Sequence, residues 1–186
     1  MKISFAESIP SSLTYAYSWR FEETPEFTRG EHCIENKADP SGPAGYEWIT
    51  LLTREKYPAG TAVSASCAFE GDAAPLLVLA GDTETDQRGV VRYGEYLEVV
   101  LWKNGINVWQ MHTADRVVTW KKLLGSEFSA AEGEIFTVTV RTRSDGIIVE
   151  ACGQKLHLYI PDFYGTFHAG INACEGICRF YDFTVE

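Results

Sequence analysis

Turn signals recur along this chain at roughly 8–12-residue spacing, and no stretch between them shows helical periodicity. Asn104-Gly105, Asp145-Gly146, Gly153-Gln154 and Glu175-Gly176 punctuate short runs rich in β-branched and aromatic residues. That combination restricts the chain to an all-β protein, a sandwich or a barrel of about a dozen strands. No polar linker divides the 186 residues, so one domain spanning 1–186 is expected.

The strongest of these signals lies within residues 93–111, YGEYLEVVLWKNGINVWQM. Asn-Gly supplies the two positive φ values of a type I′ hairpin turn. A two-residue loop there sets Lys103 against Ile106, Leu101 against Val108 and Val100 against Trp109. Side chains alternate across a strand, so the hairpin has two faces. One carries Leu97, Val99, Leu101 and Val108 and is a core face. The other carries Tyr96, Glu98, Val100, Trp102, Asn107, Trp109 and Met111. Burying Glu98 without a partner would cost several kcal/mol by order of magnitude. Two readings fit this second face: a layer covered by a loop, or a ligand platform of flat rings with polar groups between them.

Along the chain, residues 1–14 read as an irregular lead-in and 15–21 as a first strand. Residues 22–45 read as loop with one short strand near 32–35. Strands are expected at 46–53, 61–69, 76–80, 116–124, 135–143, 147–152 and 155–160. Residues 81–92 read as a polar loop. Residues 167–173 and 177–185 read as a closing pair around Glu175-Gly176.

Composition narrows the partners. Net charge is −10, from 26 acidic and 16 basic residues, which argues against nucleic acid and anionic membranes. No apolar run approaches the roughly 20 residues of a membrane span. The start of the sequence lacks the apolar core of a signal peptide, so the expected location is cytoplasmic. Five cysteines, Cys33, Cys67, Cys152, Cys174 and Cys178, fit neither a zinc ribbon nor a redox pair, and reduced thiols are expected. His32, His112, His157 and His168 have no ligand spacing, so no metal site is assigned.

The segment Tyr96-Leu97-Glu98-Val99-Val100-Leu101 with its Asn-Gly hairpin, the strand–turn–strand of 135–152 and the closing run Arg179-Phe180-Tyr181-Asp182-Phe183-Thr184-Val185 resemble the concanavalin A-like lectin and glucanase superfamily. Its members include laminin-G-like and 3-keto-disaccharide-hydrolase-like proteins. The resemblance implies an antiparallel β-sandwich, or jelly roll, of two stacked sheets. One sheet would be concave and would bind sugars, and the last strand would pair back near the first. It also implies a structural calcium site in some members, which Asp182 and Glu22 would echo with only two of the 6–8 oxygens calcium takes.

Glucanases of that superfamily carry two catalytic glutamates on one strand, in a Glu-x-Asp-x-Glu arrangement. This chain departs from it. Glu95 and Glu98 are three apart and point to opposite faces, and Glu84-Thr85-Asp86 is followed by Gln87-Arg88. Another cluster follows from register: two-residue turns at Asp145-Gly146 and Gly153-Gln154 align Arg141, Glu150 and His157 across three strands. That row is either a solvated ion pair or part of the sugar-binding sheet. The expectation is therefore a carbohydrate-binding protein using Tyr96, Trp102, Asn107, Trp109 and Arg141. The alternative is a glycosidase with Glu98, Glu150 and His157 as catalytic groups, and a third is an interaction module whose face is covered by its own loops or by a second subunit.

Overall fold

The computed structural model describes residues 1–20, 26–36, 48–161, 163 and 165–186. Among them there is no helix. The strands are β1 (Lys2–Ser4), β2 (Leu13–Ser18), β3 (Thr28–Arg29), β4 (Ile34–Glu35), β5 (Ile49–Thr53), β6 (Tyr57–Pro58), β7 (Ala62–Phe69), β8 (Ala74–Ala80) and β9 (Thr83–Thr85). There follow β10 (Val91–Tyr93), β11 (Tyr96–Trp102), β12 (Gly105–Ala114), β13 (Val117–Glu127), β14 (Phe136–Arg143), β15 (Gly146–Ala151), β16 (Gln154–Tyr159), β17 (Thr166–Cys174) and β18 (Cys178–Val185).

They form two sheets. One runs β16-β15-β14-β7-β18-β4-β3, with β1 on β18, and the other runs β13-β12-β11-β8-β17-β5-β2-β10-β9, with β6 on β17. The fold is the expected all-β jelly-roll sandwich. The first and last strands pair, with Lys2 opposite Thr184.

Alternation builds the core between the sheets. Leu97, Val99 and Leu101 of β11 and Ile106 and Val108 of β12 all point inward and are buried. They meet Val63 and Ala65 of β7, Val138 and Val140 of β14, and Phe180 and Phe183 of β18. Burying each Val, Leu or Phe contributes about 1.5–3 kcal/mol. Strand β8 is buried at every position. Leu77 and Leu79 enter the inter-sheet core, while Leu76 and Val78 lie under a second apolar layer on the sheet's outer side. A strand covered on both faces reads as a continuous apolar run, which is why polar–apolar alternation is missing from 74–80.

The hairpin registers differ from the expected ones by a common step. Trp102 pairs with Gly105 and Leu101 with Ile106, so Lys103 and Asn104 make the turn. Gly105 begins the next strand at φ 144°, where an added Cβ would lie 2.1 Å from the Ser126 carbonyl oxygen. The close passage of β13 therefore requires this glycine. Gly146 repeats the arrangement, with its absent Cβ 2.0 Å from the Leu158 oxygen. The third hairpin turns on Cys152 and Gly153, both at positive φ. Each pairing moves by two residues, an even number, so every side chain keeps its face.

Other expectations fail. The lead-in holds β1, and the 81–92 loop holds β9 and the start of β10. Strands β17 and β18 are not a hairpin: β17 pairs with β8 and β5, and β18 pairs with β7. Glu175-Gly176 thus carries the chain from one sheet to the other. All five cysteines are free.

Candidate functional site

The outward face of the ten-stranded sheet carries a cleft of about 220 Å³. Its floor comes from the central hairpin. Glu98 on β11 stands directly opposite Trp109 on β12 and, on its other side, opposite Val78 on β8. Trp102, Asn107, Val100 and Met111 line the same cleft. Strand β13 is bulged against β12 between Val108 and Trp109, leaving Leu123 as the extra residue. Bulges re-aim side chains next to functional sites, and this one falls at Trp109.

Glu98 is only 3% exposed. Burial pushes its carboxyl from the ordinary 4.5 up to about 7, Arg20 opposes that rise, and Glu175 adds to it. The result is a carboxyl poised between acid and carboxylate near neutral pH.

The rim comes from segments far apart in sequence. The guanidinium carbon of Arg20 is 5.0 Å from the centre of the Trp48 ring and 4.6 Å from that of Trp120. Asp72 pairs with Lys103. Glu175 lies in the crossover at φ 58°. The Lys122 ammonium is 5.9 Å from the Trp109 ring centre.

Glu98, Trp102, Asn107 and Trp109 are thus brought together. Tyr96 is not available with them. It is fully buried, its hydroxyl is 2.9 Å from Ser18 Oγ, and its ring meets Tyr93 edge-on at 4.7 Å. The neighbouring β2 and β10 cover it, so it supports the floor and presents no ring to a ligand.

Arg141, Glu150 and His157 correct the sequence reading more sharply. They belong to β14, β15 and β16 of the other sheet, so their outward face looks away from the cleft across the whole sandwich. The shifted turns place Glu150 opposite Lys155 and His157 opposite Ile148. Glu150 is 2.8 Å from Lys155 and 3.6 Å from Arg141. Its carboxyl is held below the ordinary value, first by the Lys155 hydrogen bond. This is a solvated cross-strand ion network.

The sequence reading missed Arg20, Trp48, Asp72, Trp120 and Glu175. Trp120 had a findable signal, since it opposes Met111 on the cleft side of β12. The others arrive through loops and sheet edges, where periodicity carries no information. For calcium, Asp182 Oδ1 accepts the Ser66 amide at 3.1 Å, and Glu22 lies outside the described residues. Among the described residues no group of three or more His, Cys, Asp or Glu could hold a metal.

No protein family's sequence profile matches the chain, and no curated protein matches it in sequence. Solved structures do match in shape. A family 16 endo-glucanase from Bacteroides ovatus, solved with an oligosaccharide derivative, superposes with a TM-score of 0.72 at 9% identity, over 100% of this chain and 99% of that one. The chain has the concanavalin A-like jelly-roll fold. The carbohydrate-binding module CBM66 from Bacillus subtilis matches with a TM-score of 0.65 at 6% identity, covering 94% and 95% of the two chains. A legume lectin-like domain from Entamoeba histolytica matches at 0.60 and 13% identity, covering 99% and 96%. The jelly roll sets the sheets and their curl; the cleft chemistry is this chain's own.

Proposed function

We propose that this jelly-roll protein binds carbohydrate in the Glu98 cleft. One observation carries the reading: four of the chain's five tryptophans, Trp48, Trp102, Trp109 and Trp120, line one hollow whose floor holds a carboxyl group. Sugar rings have apolar faces that stack on indoles and hydroxyls that need fixed polar partners, and a cleft of aromatic walls with few polar groups supplies both. Asn107 offers an amide, Arg20 donors, and Glu98 and Glu175 acceptors. The similar structures named above, a glucanase, a carbohydrate-binding module and a lectin-like domain, support the same reading. Isothermal titration against neutral oligosaccharides tests it: saturable binding is expected, weakened at least tenfold in Trp109→Ala.

A second reading has its own observation. A carboxyl group held near pKa 7 by burial is what a glycosidase needs for a general acid that stays protonated at neutral pH. In that reading Glu98 protonates the leaving oxygen while water, activated by a second carboxylate of the cleft, takes the anomeric carbon; Glu175 and the Lys103-paired Asp72 are the two that line it. Hydrolysis of an aryl glycoside, lost in Glu98→Gln, supports it. Binding without turnover returns the site to recognition alone.

A further inference from the structure

Trp48 and Trp120 share the sheet's outward face but come from positions far apart in it. Trp48 immediately precedes β5, Trp120 lies on the outermost β13, and β12, β11, β8 and β17 separate them. On a flat sheet, five strand spacings would hold them about 24 Å apart. Both rings nevertheless lie about 5 Å from the same guanidinium carbon of Arg20. The curl of the sheet and the reach of three long side chains close that distance. A Trp48–Arg20–Trp120 strap therefore crosses the cleft, and Arg20 is near enough to Glu98 for its charge to act on that carboxyl.

The size of the hollow agrees. At about 220 Å³, it falls below the roughly 300–1,000 Å³ that holds a drug-sized ligand. An open groove along a sheet would pass a sugar chain from end to end. Across this hollow one guanidinium carbon lies 5.0 Å from the Trp48 ring centre and 4.6 Å from that of Trp120.

We propose that Arg20, clasped between Trp48 and Trp120, makes the cleft a blind pocket that accepts the terminal one or two units of a sugar chain and excludes chain interiors. This rests on the carbohydrate reading and adds the class of ligand. A terminal unit stacks on Trp109 with its hydroxyls toward Glu98 and Asn107. The strap stops the following units. Specificity then comes from rejecting the longer path as much as from contacts to the end unit.

The test is the length dependence of affinity. Linear glucan, fructan, xylan, mannan and chitin oligosaccharides of one to six units are titrated against the wild-type chain, Arg20→Ala and Arg20→Lys. Arg20 is exposed, so both variants keep the fold, and circular dichroism verifies it. In the series that binds, wild-type affinity changes less than threefold beyond the second unit. Both variants lose the guanidinium that bridges the two rings, so in each affinity rises at least tenfold between dimer and hexamer. Wild-type affinity that keeps climbing to the hexamer overturns the blind pocket and leaves carbohydrate binding standing. Variants that still saturate at two units show that the strap is no barrier and overturn it as well. Binding by no series removes the carbohydrate reading and this inference together.

Discussion

Glu98 and Trp109 stand directly opposite one another in the β11–β12 pair, so a buried carboxyl and an indole share one wall of one cleft. The acid has no hydrogen-bonded partner among the described residues, and its environment is set by Trp109, Val78 and the nearby charges of Arg20 and Glu175. Stability, titration and ligand binding are therefore coupled at this position.

The pH dependence of stability follows in sign. Glu98 ionises near its ordinary 4.5 in the unfolded chain and near 7 in the folded one. Between those values the unfolded state has released the proton and the native state has kept it, so stability falls as pH rises through the window and then levels. The full loss is on the order of 3 kcal/mol. Glu98→Gln removes that loss. Urea midpoints should show the variant more stable than wild type at pH 8 and equal to it at pH 4. A difference that does not change with pH would contradict the titration assigned to Glu98.

Two glycine substitutions should separate close approach from backbone preference. Gly105→Ala places a methyl 2.1 Å from a carbonyl oxygen of β13 and should cost about 2 kcal/mol or more. Gly71→Ala meets open space and pays only for a φ of 61°, about 1 kcal/mol. Denaturant midpoints measure both. Equal losses would mean that β13 does not pass where it is placed.

The ion network on the opposite sheet provides a control. Glu150→Ala removes the contacts to Lys155 and Arg141 at a surface facing away from the cleft. Ligand affinity should stay within twofold of wild type, and His157→Ala should behave alike. A tenfold loss from either would mean the functional surface includes the eight-stranded sheet.

Thiol accessibility tests the core. Cys33, Cys67, Cys174 and Cys178 are buried and Cys152 is half-buried in its turn. Burial raises every one of their thiol pKa values. Native protein should react slowly with a thiol reagent at Cys152 alone, and at all five after unfolding. Fast native labelling of Cys174, which lines the cleft wall, would mean the hollow opens further than Trp48 allows.

The sequence was informative where one rule acts alone. Alternation assigned Leu97, Val99 and Leu101 to the core and Glu98, Trp102 and Trp109 to the outer face. That survived a wrong register because the error was two residues, which preserves face. The same shift broke the Arg141–Glu150–His157 alignment, which needed the pairing itself. Local pattern makes glycine the turn residue, but at 105 and 146 it is needed by the next strand's backbone, a contact no local pattern contains. Sheet membership was also hidden: nothing near Glu150 says that β15 lies across the core from β11. Arg20, Trp48 and Glu175 reach the cleft through the curl of the sheet and a crossover. Such long-range placement leaves no periodic trace.

The most direct measurement of the central claim is a titration of neutral oligosaccharides followed by tryptophan fluorescence, on wild type and Trp109→Ala. Four indoles line the cleft, so occupancy should shift emission saturably in the wild type, and the response and affinity should fall at least tenfold in the variant. No saturable response from any sugar, or one that Trp109→Ala leaves intact, would contradict carbohydrate recognition at Glu98 and Trp109.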